Sequence, residues 1–300
     1  MMIKLNFSPV FIGNVLAVMA AFGFSFKAIF VKLAYETTPV DPVTLLMLRM
    51  SFALPFIVVT AIPVLRRGTT LGRKDYAMLI ILGIIGYYGS SVLDFMGLQY
   101  ITAGLERLIL YTYPVITILI GIVFLGKPLS KKLLIAMLLS YSGILIAFYH
   151  DLNITTDTDN LIKGCSLIFA CALLYATYSA GAEVAINRVG AMRFSILALL
   201  VSILTTQIHF FSSRPVSSLI LPWSIYAYSL GMALFSTVMP IFWLSAAISR
   251  IGAARAVMIG LIGPMLTILF SWWLLNEPLS PEQLTGTALV IGGLLVIARR

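Results

Sequence analysis

Ten long apolar blocks recur along the sequence, and they remove most of the folds otherwise open to a chain of 300 residues. At 1.5 Å of rise per residue, about 20 helical residues cross the hydrocarbon layer of a bilayer. Lipid offers the backbone no hydrogen bonds, so only helices and closed barrels span it. The blocks are too long for barrel strands and lack their alternation. Composition agrees, since 60% of residues are hydrophobic and 10% charged, against about a quarter charged in soluble domains. The expected fold is an all-α integral membrane protein.

The blocks fall at 10–31, 43–65, 77–99, 103–125 and 133–149, then at 164–186, 194–211, 225–248, 252–275 and 281–298. The connections are short, polar or marked by proline and glycine, and leave no room for a separate soluble domain. The first block is too long for a signal-peptide core and reads as a retained span. With the N-terminus inside, thirteen basic residues fall on the cytoplasmic side and three on the outer side. That asymmetry supports both the direction and the even number of spans. Both termini are therefore expected in the cytoplasm, in a plasma (inner) membrane. The net charge of +9 sits in short loops and forms no basic stripe, so nucleic acid is not an expected partner. Cys165 and Cys171 share one block, about 9 Å apart along a helix, too far for a disulfide. They read as packing residues. No metal-ligand spacing occurs, and no metal or cofactor is expected.

The chain repeats itself. Tyr113-Pro114-Val115-Ile116-Thr117-Ile118-Leu119 is matched by Gly263-Pro264-Met265-Leu266-Thr267-Ile268-Leu269, and Leu125-Gly126-Lys127-Pro128-Leu129-Ser130 by Leu275-Asn276-Glu277-Pro278-Leu279-Ser280, at one offset of 150. Gly13 and Ala21 meet Gly164 and Ala172 at an offset of 151. The expected domains are residues 1–150 and 151–300, five spans each. Five is odd, so the second copy enters the membrane from the opposite side, giving ten transmembrane helices in two inverted five-helix repeats. Inverted repeats are a recurring plan of secondary transporters.

These paired segments, with Gly23-Phe24-Ser25-Phe26-Lys27-Ala28 in the first span and Arg49 opening the second, resemble the EamA-type branch of the drug/metabolite transporter superfamily over the whole chain. The resemblance implies ten helices around a central cavity and carriage of amino acids, other metabolites or drugs, often outward and sometimes with protons. Two positions depart from the pattern. Lys127 stands where the first loop motif is usually acidic, and Phe22 or Phe24 where the first span usually has tryptophan.

Ionisable groups at membrane depth cost about 2.5–3.5 kcal/mol each on insertion scales, so each needs a reason. Lys27, Arg49, Asp94, Glu106 and Arg107 share one level, about 5–10 Å below the outer interface. Glu183 and Arg255 occupy the corresponding inner level. All seven are candidates for a substrate or proton pathway, and a purely structural ion-pair network fits the same pattern. Tyr87, Ser91 and Asp94 share a helical stripe, as do Tyr175, Ser179 and Glu183, and Glu106, Tyr113 and Thr117. The tyrosines, serines and threonine are candidate cavity-lining residues. Pro114 and Pro264 are expected to bend their spans at matching places.

No metalloprotease or nucleophile-elbow motif appears, so an enzyme is not expected. The leading expectation is a secondary transporter, in the export direction, of a small amino-acid-like or drug-like metabolite by alternating access. A passive channel or facilitator shares the same spans and polar stripes. The expected partners are a small-molecule solute and the lipid bilayer; monomer and homodimer both remain open.

Overall fold

The computed structural model describes residues 8–66, 71–125, 131–154 and 157–298. They are helical throughout, with no strand among them. In chain order the helices are α1 (Pro9–Thr37), α2 (Pro42–Arg66), α3 (Arg73–Gly97), α4 (Ala103–Leu110), α5 (Tyr113–Leu125), α6 (Lys131–Ile154), α7 (Thr158–Val189), α8 (Ala191–Ser213), α9 (Trp223–Ile251), α10 (Ala253–Gly260), α11 (Gly263–Leu275) and α12 (Pro281–Ala298). Among the described residues, eight segments are long and apolar enough to cross a membrane, α4 and α5 counting as one, and α11 is a shorter apolar helix. Of the ten expected spans, the ninth is thus divided between α10 and α11, and the tenth is the 18-residue α12. The first Pro-Leu-Ser turn lies outside the described residues.

Several helices run past the apolar blocks because polar caps end them. Ser8 accepts the Phe11 N–H at the start of α1, and Asp157 accepts that of Asn160 before α7. Asp41 starts α2: its Oδ2 accepts the Thr44 N–H at 3.0 Å, with Pro42 at the first helical position. Arg214, at the end of α8, adds a 2.7 Å ion pair to Asp41 Oδ1. Burial pulls the Asp41 carboxyl up, but the bonds from Arg214 and Thr44 outweigh it and hold the group below its ordinary value.

Asp41→Ala is expected to cost about 1 kcal/mol, nearly all of it the cap, because Arg214 is open to solvent and screened. A depressed carboxyl contributes stability that is complete above about pH 4 and is lost as acid titrates the folded protein. Unfolding midpoints of wild type and D41A in detergent should therefore differ at pH 7 and converge below pH 4. A gap that persists in acid would mean that the carboxylate is not the source.

Helix packing has a two-fold character. If α1 to α6 are exchanged with α7 to α12, the pairing of α1 with α9 becomes that of α7 with α3, and both are present. The same exchange relates α1–α11 to α7–α5 and α2–α9 to α8–α3, while α2–α8 and α6–α12 map onto themselves. Local irregularities obey it too. A π-helical turn at Gly83–Gly89 in α3 is answered by one at Leu234–Val238 in α9. Two-residue breaks at Tyr111–Thr112 and Leu261–Ile262 lie 150 residues apart. Pro114 and Pro264 follow these breaks in the first turn of the next helix, where the missing N–H costs nothing. Each span is interrupted just before its proline.

Close approach at the helix crossings is paid for by glycine. A Cβ on Gly23 of α1 would lie 2.5 Å from the Phe235 carbonyl and from Pro240 of α9, and one on Gly86 of α3 would run into the Tyr178 side chain of α7. Gly143 of α6 and Gly286 of α12 bring backbone against backbone.

Candidate functional site

Five charged side chains expected at one level do converge. Lys27 Nζ, on α1, lies 2.7 Å from Asp94 Oδ2 of α3 and 3.5 Å from Glu106 Oε1 of α4. Arg107 Nε stands 3.7 Å from Glu106 Oε2, and its Nη2 donates to the Phe24 carbonyl at 3.0 Å. Glu106 is wholly buried and Asp94 2% exposed, whereas the Lys27 side chain retains 17% exposure. Arg49 of α2 is buried within electrostatic reach of Asp94. Its guanidinium sits 5.6 Å above the Phe95 ring, and its Nε donates to Thr237 Oγ1 at 3.0 Å.

Thr237 belongs to the π-turn of α9, where its hydroxyl donates to the Met232 carbonyl. The Arg49 contact therefore ties the first half of the chain to the irregular turn of the second. The two helix breaks also meet. Tyr111 reaches the Gly260 carbonyl at 3.4 Å, and a Cβ on Gly263 would come within 2.5 Å of its hydroxyl. Ser25 of α1 donates to the Gly263 carbonyl at 3.1 Å, and Thr267 to the same carbonyl at 3.2 Å. The Gly260 carbonyl, left open where α10 ends, is thus answered by a side chain, as membrane-buried backbone requires. Outside this layer, both oxygens of Glu277 approach the Ala103 N–H at 3.0 and 3.1 Å and cap α4. Burial raises this carboxyl above its ordinary value despite that bond.

Of the two residues expected at the inner level, one has a described side chain. Arg255 is exposed on α10, and the side chain of Glu183 lies outside the described residues. At the offsets of the repeat, Lys27, Asp94 and Glu106 correspond to Tyr178, Leu244 and Ala256, so one half carries the charges and the other does not. Aromatic rings from both halves gather around Tyr178, the counterpart of Lys27. Tyr113 meets Tyr175 edge-on at 4.7 Å, Tyr175 lies 5.6 Å from Tyr178, and Tyr178 lies 5.1 Å from Tyr87. Tyr87, Tyr113 and Tyr175 are therefore one cluster. Ser179 turns its hydroxyl to the Tyr175 carbonyl of its own helix, while that of Thr117 lies 2.8 Å from the Tyr113 carbonyl of its own helix and 3.4 Å from the Ala176 carbonyl of α7. Ser91 is half-buried.

Thr237, Ser25, Thr267, Tyr111 and Tyr178 were not singled out from the sequence. Only the match of Thr267 to Thr117 in the repeat, and of Tyr178 to Lys27, carried a signal for any of them. An apolar groove of 330 Å³ between α2 and α9, lined by Phe52, Trp223, Tyr226, Leu230 and Phe235, contains no charged group. It is unrelated to the polar centre. Among the described residues no group of three histidine, cysteine or acidic side chains is placed to hold a metal.

The chain is similar to several known proteins. An uncharacterised transporter of Bacillus subtilis strain 168, YcbK, is 27% identical over 280 residues, covering 91% of this chain and 88% of its own. A second from that organism, YyaM, is 26% identical over 226 residues, covering 74% and 73%. A protein of Streptantibioticus cattleyicolor named "Probable terminal-alkyne amino-acid exporter" is 27% identical over 237 residues, covering 76% and 74%. A solved structure described only as a crystal structure of a protein superposes with a TM-score of 0.63 at 17% identity, over 95% of this chain and 96% of that one, a likeness of fold alone. The EamA-like transporter family matches residues 11–149 and again residues 162–299. With both halves matched, this multi-pass membrane protein belongs to the EamA-like transporter family.

Proposed function

We propose that this protein is a secondary transporter that exports a small organic metabolite by alternating access. Residues 1–150 and 151–300 are its two inverted repeats, and both termini face the cytoplasm across the plasma (inner) membrane. The observation that carries the reading is the meeting of two interrupted helices beside a buried ion cluster. Broken spans at a repeat interface are where such carriers bind solute and coupling ions. Lys27, Arg49, Asp94, Glu106 and Arg107 form the solute or proton site. Asp94 and Glu106, which share Lys27 between them, carry the proton. Tyr87, Tyr113 and Tyr175 line the inner approach. A relative named as an amino-acid exporter supports an amino-acid-like solute.

Counterflow in proteoliposomes tests this reading with a panel of labelled amino acids. A carrier gives saturable exchange stimulated by unlabelled solute on the far side, and both Asp94→Asn and Glu106→Gln should remove its pH dependence and slow it at least tenfold, the usual scale for lost proton transfer. Non-saturable flux without exchange would instead make the protein a channel or facilitator. For the orientation, Ser218→Cys should label from outside and Lys74→Cys only from the cytosol; the reverse pattern would overturn it.

A further inference from the structure

The charges of the central cluster do not balance. Three cations, Lys27, Arg49 and Arg107, face two carboxylates, Asp94 and Glu106, leaving one positive charge over. A proton on either carboxylate increases the excess. The surplus localises on Arg49. Lys27 lies against both carboxylates and Arg107 against Glu106, whereas among the described residues the one hydrogen-bond partner of Arg49 is neutral Thr237. Arg49 is 7% exposed, and its Nη1 is buried with no hydrogen-bond partner.

An uncompensated guanidinium in a low-dielectric interior is costly. Its planar fork suits a carboxylate approaching edge-on. Thr237, anchored on the α9 π-turn, fixes the Nε edge and leaves the Nη1 edge free. We propose that Arg49 is the anchor for an organic solute with an anionic head group of carboxylate type, bound at its free edge inside the cluster. This deepens the transport reading and rests on it for the word substrate, but the anion site is measurable without a known solute.

Cys171 of α7 supplies the reporter. It lies within electrostatic reach of Lys27, Asp94, Glu106 and Arg107, and replacing Cys165 leaves it the single thiol of the chain. It is buried in this conformation, so it reacts only when the site opens to water. In C165S, in right-side-out and inside-out vesicles, the labelling rate of Cys171 is compared for two methanethiosulfonates of similar size. One is the anionic sulfonatoethyl reagent and the other the cationic trimethylammonioethyl reagent. The anionic reagent is expected to react about tenfold faster from one side, the scale on which a charged cleft concentrates counter-ions. Arg49→Gln should abolish the preference, Arg49→Lys retain most of it, and Asp94→Asn enlarge it. Protection of Cys171 from the anionic reagent by a carboxylate probe, benzoate, in wild type and R49K but not in R49Q is the readout that a merely structural arginine would not give.

Equal rates, faster reaction of the cation, or no reaction from either side in folded protein would overturn the proposal. If R49Q does not elute as a single folded species, protection of Cys171 by benzoate in wild type decides, and its absence overturns the proposal. Counterflow separates the two readings: exchange without an anion preference sinks only the anion site. An anion preference without exchange of any solute in the panel leaves the site standing and sinks the carrier.

Discussion

Replacing Lys27 by methionine is expected to destabilise the protein by about 3–5 kcal/mol, the usual consequence of leaving a buried charge without its partner. Lys27 is the only side chain of the cluster in contact with both carboxylates, at 2.7 Å from Asp94 and 3.5 Å from Glu106. Without it, Glu106 keeps Arg107 at 3.7 Å, while Asp94 keeps no cation in direct contact, Arg49 and Arg107 both standing farther off. Asp94 cannot move out to water, because the side chain is 2% exposed. The variant should give little folded protein on size exclusion, and a clearly lower unfolding midpoint for what survives.

The double variant Lys27→Met/Asp94→Asn separates two roles that a single substitution confounds. Removing both partners takes away the attraction and the uncompensated charge together, and neutral replacement of a buried pair is often tolerated. Most of the lost stability should return. If the cluster is a clasp between α1 and α3, transport returns with it. If the cluster handles solute or protons, the doubly neutral protein folds and does not transport. Recovery of wild-type counterflow in the double variant would reduce these residues to packing.

How far the sequence reaches is visible in these same residues. Depth along a membrane helix follows from rise per residue, which is why Lys27, Arg49, Asp94, Glu106 and Arg107 could be placed at one level before any fold was known. Azimuth is a different matter. Thr117 and Ser179 lie on polar stripes, yet Ser179 turns its hydroxyl back to its own helix and Thr117 shares its own between its helix and the Ala176 carbonyl of α7, and no spacing rule distinguishes either from lining a cavity. Arg255 is exposed on α10, and the repeat gives no guide to its partners, because it preserves helix positions and not the side chains on them. Prolines marked where the spans are interrupted, and the 150-residue offset showed that the interruptions correspond. The π-turns of α3 and α9 had no such marker, since a single inserted residue in a helix leaves the apolar period almost unchanged. The Thr237 contact with Arg49 depends on one of them.

Gly143→Val is expected to be as damaging as any change in the charged centre, for a different physical reason. A Cβ at Gly143 would sit 2.5 Å from the Gly286 carbonyl oxygen, and one at Gly286 would meet the Gly143 carbonyl at the same distance. Between membrane helices, where lipid is as apolar as leucine, association depends on backbones coming close over small residues. A flexible neighbour relieves a clash by changing rotamer, but here the neighbour is backbone on both sides, so α6 and α12 must separate. Overpacking costs about 1–3 kcal/mol where side chains can adjust, and more where they cannot. Gly292, on the same helix α12, is the internal control, since nothing lies within 4 Å of its missing Cβ. Gly292→Ala should stay within about 0.5 kcal/mol of wild type, while Gly143→Val loses the folded peak on size exclusion. Glycine content is equal in the two experiments, so a difference between them measures the crossing itself. If both variants unfold at the wild-type midpoint, α6 and α12 do not touch at Gly143 and Gly286, and the last span of each half is not the pillar that joins the two repeats.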